Sequence, residues 1–455
     1  MGLLDTISTA RRGLGAASTG IDVTSQNISN VNTVGYSRRK VVQTTTDPVS
    51  RRGLFMGSGP AITGIARATD RLLGVRLVSA AGTAAEASTV HETLANAEGR
   101  FDGTALSDAT DAFFDSLSAL TTDPSDAGGR RAVVAAASGL AASVARIGSG
   151  LQDDLDDIDA SVATRLESVN SKLAEVASLN KAIGRLGADL GPGDLLDRRD
   201  QLVRELGEEV GATVDFDADG QATVLVGGHA VVSGSEARTL RLDTSGATPE
   251  LLVAAGSGTL RVTGDAGGAI GGALAARAKI EGWVADLDDF ATNLATTVNA
   301  QHAAGFDAAG NPGGDVFTFD AADPAASLAV SAALDDPDAL ALAGAATASP
   351  GDGDNLAAFL ALESSAAYDG GTRTAASALA ALASLVGSDV STAETDATTL
   401  EDQLADVDSM RDSLATVDTD EEAIKLIEFQ TAYRAAARVL SVGDEMLRTL
   451  LTIGS

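Results

Sequence analysis

The run TDEEAIKLIEFQTAYRAAARVLSVGDEMLRTLL, residues 419–451, carries no proline and no turn signal. Within it Leu426, Phe429, Tyr433, Ala436, Leu440, Gly443, Leu447 and Leu450 recur at alternating steps of three and four. That spacing sets side chains along one seam of a helix. Ala432, Val439 and Met446 form a flanking row. Thr419 stands three residues before Glu422, the form of a capping box in which each side chain satisfies a backbone donor of the first turn. The stretch is predicted to be one helix. The opposite end repeats the pattern through Leu3, Ile7, Ala10, Leu14, Ala17, Ile21, Thr24, Ile28 and Val31, so the two ends are expected to pair as a coiled coil. Ordering roughly 30 backbone residues costs about 1–2 kcal/mol each. Burying an apolar side chain returns only about 1.5–3 kcal/mol. Neither end is expected to fold alone; each should order by packing on the other or on copies of itself.

The formal charge is −32 over 455 residues. Phosphate binding requires clustered Lys and Arg, so nucleic acid and anionic membrane are not expected partners; spread-out acid is a self-repelling, solvating surface. No unbroken apolar run of a membrane-spanning length is evident, and the first residues lack the basic, apolar and small-residue segments of a secretory signal peptide. Cysteine is absent, which excludes disulfides, thiolate catalysis and cysteine metal sites. His91, His229 and His302 are far apart. No metal and no cofactor is expected.

The N-terminal stripe ends at Val31 and leads into Asn32, Thr33, Val34, Gly35, Tyr36, Ser37 and Arg38, residues of a helix exit and turn. An extended basic stretch follows to Pro48, and 53–64 has the look of a glycine-rich hinge. Arg38, Arg39, Lys40, Arg51 and Arg52 are the one dense basic cluster. It can be a solvated loop or an electrostatic dock for an acidic face of a neighbouring copy. A second helical block should start near Ile65, and 127–186 should be one very long helix or two collinear ones, with Leu151, Leu155, Ile158, Val162, Leu166, Val169, Leu173, Val176 and Ile183 at heptad spacing. After Gly191-Pro192-Gly193 the period drops to two through Val210, Ala212, Val214 and Phe216, then Ala222, Val224 and Val226, the signature of strands. Asp215, Asp217, Asp219 and Gly220 imitate the start of a calcium loop, but Val226 occupies the place of its bidentate Glu; a hairpin turn is expected. Helix returns over 270–304 and from 374 onward.

The fold class read from this order is mainly α with a β insertion. Its domains are a terminal coiled coil (1–60 and 416–455), a helical rod (61–205, 268–305 and 375–415) and β-rich outer parts (206–267 and 306–374). No nucleophile elbow, phosphate loop or histidine beside a nucleophile is present. No catalytic residue is assigned, and nothing in the chain requires an enzyme.

Asn27, Asn30, Asn32, Thr33, Gly35, Tyr36 and Arg38 resemble the N-terminal signature of bacterial flagellar axial proteins, Asn-x-x-Asn-x-x-Thr-x-Gly-Tyr-x-Arg. Glu421, Glu422, Gln430, Tyr433 and Ala436 resemble the C-terminal one. Within that superfamily Asp194 to Leu202, the Leu-Leu-Asp-Arg-Arg-Asp-Gln-Leu run, with Asn299, His302, Gly305, Asp307 and Gly310, resembles the hook-associated protein 1 family. The resemblance implies a structural subunit exported through the flagellar type III channel, which polymerises with copies of itself at the hook–filament junction. It implies further partners: hook protein, the second junction protein, and an export chaperone on the C-terminal helix. Val34 stands where the pattern often has proline, leaving the turn less rigid, and the short middle of the chain leaves open whether a separate outermost domain exists. A hook or rod subunit shares the end signatures, although long heptad helices between 65 and 186 do not suit it. A secreted helical adhesin or enzyme is the alternative of another kind.

Overall fold

The computed structural model describes residues 3–47, 49–51, 54–101, 104–186, 193–217, 220–246, 248–256, 258–262, 266–347 and 351–453. Pro48, Arg52, Gly53, Gly191, Pro192 and Asp219, which entered the sequence reading, lie outside them. In chain order the elements are α1 (Leu3–Ser29), β1 (Arg39–Thr45), β2 (Val49–Arg51), β3 (Leu54–Met56), β4 (Pro60–Arg67), α2 (Arg71–Glu98), α3 (Ala105–Leu120), α4 (Ala127–Leu186) and α5 (Gly193–Val210). Then follow β5 (Thr213–Phe216), β6 (Ala222–Val226), β7 (His229–Ser233), β8 (Glu236–Ala237), β9 (Leu240–Asp243), β10 (Glu250–Ala255) and β11 (Gly258–Arg261). The chain closes with α6 (Gly268–Ala303), β12 (Phe317–Thr318), β13 (Ala329–Val330), α7 (Asp354–Glu363), α8 (Ala375–Ala415) and α9 (Thr419–Ile453). Close contacts group 1–84, 166–268 and 400–455 in one unit, and 85–165 and 269–399 in a second.

In the first unit α1 and α9 pack antiparallel. Ile7 lies against Gly443, Gly13 faces Ala436, Gly20 seats the Phe429 ring, and Asn27 bonds Glu422, a partner every heptad along α9. The buried row of α1 is Ala16, Ala17, Gly20, Val23, Thr24 and Asn27; Leu14, Ile21 and Ile28 flank it half-buried. Ala17 and Thr24 of the expected seam are in that row, whereas its Leu14, Ile21 and Ile28 positions give way to smaller or polar neighbours. The reason is close approach: a Cβ on Gly20 would lie 2.5 Å from Phe429 Cδ1, and one on Gly443 2.8 Å from Ile7 Cγ1. On α9 the expected seam is half-buried except for buried Gly443 and exposed Tyr433 and Leu450.

The expected hinge at 53–64 and the helix start near Ile65 are not found. Pro60–Arg67 is β4, paired antiparallel with β1 so that Arg39 lies opposite Arg67. Asp70 accepts from the Leu73 N–H at the start of α2, the place of an N-cap. α4 is a single helix of 60 residues. Val210 closes α5 rather than opening a strand. The β insertion is a four-stranded sheet in order β5-β6-β7-β8 and a three-stranded one in order β11-β10-β9, with Ala222, Val224 and Val226 buried at period two. Two asparagines of α4 satisfy backbone of these strands. Asn180 bonds Ala222 and Gly234 (2.7–3.0 Å), and Asn170 bonds Leu240 N and O (2.8 Å each).

In the second unit Trp283, Phe113, Phe317, Leu117, Leu140 and Leu151 are all fully buried, and the Phe113 and Phe317 rings lie 6.1 Å apart. Among its described residues, the expected β-rich stretch 306–374 holds the two-residue strands β12 and β13, isolated bridges, 3-10 turns and α7. Helix side chains take the place of a ladder there. Asn299 bonds Val316 N, Phe317 N and Phe317 O. His302 Nε2 accepts from Ala341 N at 2.9 Å while its Nδ1 contacts Gly314 O at 2.6 Å, so Nδ1 carries the proton. Short Ala, Asp and Gly runs, poor in β-branched residues, need such external partners because they form few strands of their own.

Stretches 127–186 and 375–453 reach a mean hydropathy of 1.4 and 1.3 over 18 residues, against the expectation of no stretch of span-like apolarity. In α4 the row Leu140, Val144, Ile147 and Leu151 is buried inside the protein.

Candidate assembly joint

Helix α1 ends where Asn30 and Thr33 fold the chain back. Thr33 N–H donates to Asn30 O at 2.9 Å and Thr33 Oγ1 to Asn30 Oδ1 at 3.2 Å. Gly35 sits at φ +81°, a region other residues enter at a cost; exposed Asn32 and Val34 flank the turn. The extended segment 36–39 then passes between α1 and the start of α9. Asn27, 1% exposed, works as a surrogate strand partner. Its Oδ1 accepts from Arg39 N–H (2.9 Å) and Tyr36 O–H (2.9 Å), and its Nδ2 donates to Arg39 O (3.0 Å) and Glu422 Oε2 (2.8 Å). Arg38 Nε donates to Glu422 Oε1 at 2.9 Å; Nη2 pairs with Glu422 at 2.7 Å and Glu421 at 2.8 Å. Arg38 N–H donates to Ala415 O (3.0 Å), at the break between α8 and α9.

The capping box expected at Thr419 and Glu422 is not what starts α9. Asp418 Oδ1 accepts from the N–H groups of Asp420 (2.8 Å) and Glu421 (3.2 Å), so Asp418 is the cap. Glu422 is buried because two N-terminal donors claim its carboxylate instead.

The basic cluster is neither a solvated loop nor free to dock at Arg38 and Arg39, both of which are consumed internally. Arg39 bonds Asp194 and Asp197 of α5 and lies 5.0 Å from the Tyr36 ring centroid. Arg67 pairs with Asp197 at 2.8 Å and Asp200 at 2.6 Å. Arg199 bonds Asp200 and the Gly220 carbonyl and stacks on Phe216. The Leu195–Leu202 run is thus a set of anchors for the segment behind the N-terminal turn. Lys40 is exposed.

Electrostatics follow this geometry. The hydrogen bond from Arg38, with that from Lys425 second, holds the Glu421 carboxyl down at about 2. Burial pushes Asp197 up, opposed by Arg67. Burial also raises the Tyr36 phenol. Beside the joint lies a groove of about 640 Å³ lined by Ile65, Leu73, Leu77, Leu196, Val203 and Leu414 among others. Among the described residues there is no cluster able to hold a metal ion.

Of the residues singled out in sequence, Asn27, Tyr36, Arg38, Glu421 and Glu422 meet in one place, and Asn30, Asn32, Thr33 and Gly35 form the turn that brings them there. Half-buried Gln430 and exposed Tyr433 lie roughly two and three turns further along α9. Leu3, Ile7, Leu14, Ile21 and Ile28 of α1, with Val31 just past its end, and Leu426, Phe429, Ala436, Leu440, Gly443 and Leu447 of α9 belong to the helix pair. Arg39, Arg67 and the carboxylates of α5 were missing from the predicted joint. Their signal is the concentration of Arg and Asp in 194–200, with no indication in sequence of which arginine meets which acid.

Comparison with known proteins agrees across the chain. Residues 92–317 match the flagellar hook-associated protein FlgK helical domain. Residues 413–453 match the flagellar basal body rod FlgEFG protein C-terminal family, and 7–36 the flagella basal body rod protein family. Flagellar hook-associated protein 1 of Escherichia coli is 30% identical over 331 residues, covering 69% of this chain and 60% of the relative; that of Salmonella typhimurium is 29% identical over 326 residues, covering 69% and 59%. The chain therefore spans less than two thirds of the length of these relatives. The Bacillus subtilis protein of the same name is 26% identical over 488 residues, covering 97% of this chain and 96% of its own length. Among solved structures, the flagellar hook junction protein FlgK from Burkholderia pseudomallei shares the fold with a TM-score of 0.68 at 16% identity, covering 75% of this chain and all of that one.

Proposed function

We propose that this chain, which belongs to the flagellar hook-associated protein 1 family, is a structural subunit of the bacterial flagellum that polymerises at the hook tip as the first hook–filament junction layer after type III export. One observation carries the reading: the N-terminal signature (Asn27, Tyr36, Arg38) and the C-terminal signature (Glu421, Glu422) close on each other at the base of an antiparallel helix pair. A structural role explains why these residues are present without any reaction chemistry. The outward face of α9 supports assembly, since Ile424, Ile427, Val442, Met446 and Ile453 are 49–77% exposed. Such an apolar row marks a surface for a protein partner. The match of residues 92–317 to the hook-associated protein helical domain supports this role over that of a hook or rod subunit.

The partners under this reading are copies of the chain, hook protein below, the second junction protein above, and before export a chaperone covering the α9 row. The terminal parts 1–60 and 416–455 form the inner, assembling domain. Electron microscopy of a strain lacking the gene tests it. Hooks without filaments, with filament protein shed to the medium and restored by the full chain, are expected; normal filaments on such cells would end the reading.

A further inference from the structure

Arg39 and Arg67 stand directly opposite each other at the base of the β1–β4 ribbon. Like charges in that relation repel. The carboxylate of Asp197, 7% exposed, lies between them, with Arg67 Nε at 2.8 Å and Arg39 Nη2 at 3.5 Å. Arg67 Nη2 in turn donates to Ser37 Oγ at 3.4 Å. Residues 37 and 39 thus lie on the side of Arg67 and Asp197, and in an extended chain the residue between them points the other way. That residue is Arg38, whose guanidinium reaches Glu422 and Glu421.

We infer that Asp197 is the positioning residue of the joint: by holding Arg39 and Arg67, and through Arg67 also Ser37, on one side of the extended segment, it presents Arg38 on the other side to the start of α9. The run Leu195–Leu202 then makes attachment of the terminal helix pair depend on α5. Asp200 serves as an internal contrast, since it binds Arg67 and Arg199 and not Arg39. The consequence for junction assembly rests on the proposed function; the positioning itself does not.

The test is native-state amide exchange of the purified full chain, read at the Arg38 N–H that bonds Ala415 O. Asp197→Asn is expected to speed that exchange about tenfold or more, the loss typical of a buried charge-assisted hydrogen bond. Asp200→Asn, which loosens Arg67 but leaves Arg39 held by Asp197, should speed it less than Asp197→Asn does. Ser37→Ala, which removes the hydroxyl that accepts from Arg67, should give an intermediate increase and keeps the test open if Asp197→Asn does not fold. Equal effects of Asp197→Asn and Asp200→Asn, or no effect of Asp197→Asn and Ser37→Ala, would overturn the inference. In cells, Asp197→Asn should fail to restore filaments to the deletion strain while Asp200→Asn restores them. Failure of the unaltered chain to restore them would count against the proposed function alone, because the exchange result stands without it.

Discussion

Replacing Glu422 by Gln tests the joint with little change of shape. The carboxylate, 1% exposed, accepts Arg38 Nε at 2.9 Å on one oxygen and Asn27 Nδ2 at 2.8 Å on the other. A glutamine amide keeps one acceptor, and its NH2 must then face a second donor. One hydrogen bond to a charged partner is lost, about 1.5–3 kcal/mol. Removing one member of an isolated buried ion pair costs about 3–5 kcal/mol. Here Glu421 stays 2.8 Å from Arg38 and neutralises part of the charge, so we expect about 2 kcal/mol, roughly a 30-fold change. Amide exchange of the full chain, read at the N–H groups of Arg38 and Glu422, should show that acceleration. Glu428→Gln, on the exposed side of α9, is the control. A double-mutant cycle with Arg38→Gln should return a coupling above about 0.5 kcal/mol, the range for residues in contact. Exchange in Glu422→Gln no faster than in Glu428→Gln, together with additivity in the cycle, would refute the joint.

Gly443→Leu should impair polymerisation while leaving the second unit's thermal transition unchanged, because a Cβ there meets Ile7 Cγ1 at 2.8 Å and overpacking costs about 1–3 kcal/mol; unaltered assembly in a sedimentation assay would contradict it. His302 is held below its ordinary value chiefly by burial, so the folded state favours neutral imidazole. Its contribution to stability is complete above the unfolded value near 6.5 and declines as pH falls from there through the lower folded value. Urea unfolding between pH 7 and 5 should show that decline, and His302→Gln should flatten it; equal slopes in the two proteins would remove the assignment. In a dilute monomer, protection should be greatest near Asn27 and Glu422 and least over residues 3–14 and 440–453, where α9 exposes Met446, Leu450, Leu451 and Ile453. Uniform strong protection of both terminal helices would contradict their dependence on assembly.

Residues in one helix or strand announce themselves through spacing, and those parts were legible. The run at 419–451 became α9 (Thr419–Ile453), the opposite stripe became α1, 127–186 became one helix, and the period-two segment around Ala222 became paired strands. The stretch 306–374 was not legible because its backbone is satisfied by side chains, Asn299 and His302 of α6 and Asn355 of its own helix α7. The seam of the helix pair was legible to within one position of each heptad. Hydrophobicity points to Leu14, Ile21 and Ile28, whereas close approach selects Gly13, Gly20 and Asn27.

By itself, then, the sequence determined that two amphipathic helices lie at the ends of the chain, that strands interrupt long helices between them, and that signature residues cluster at both ends. Backbone geometry repeats every few residues, so those properties are written locally. Only the tertiary structure decided that Asn27 meets Glu422 across 395 residues of chain, that Asp418 and not Thr419 caps α9, and that Asp197 lies between Arg39 and Arg67. Such choices are made by which donors remain unsatisfied when distant segments come together. An arginine or a carboxylate carries no mark in sequence of the partner it will find.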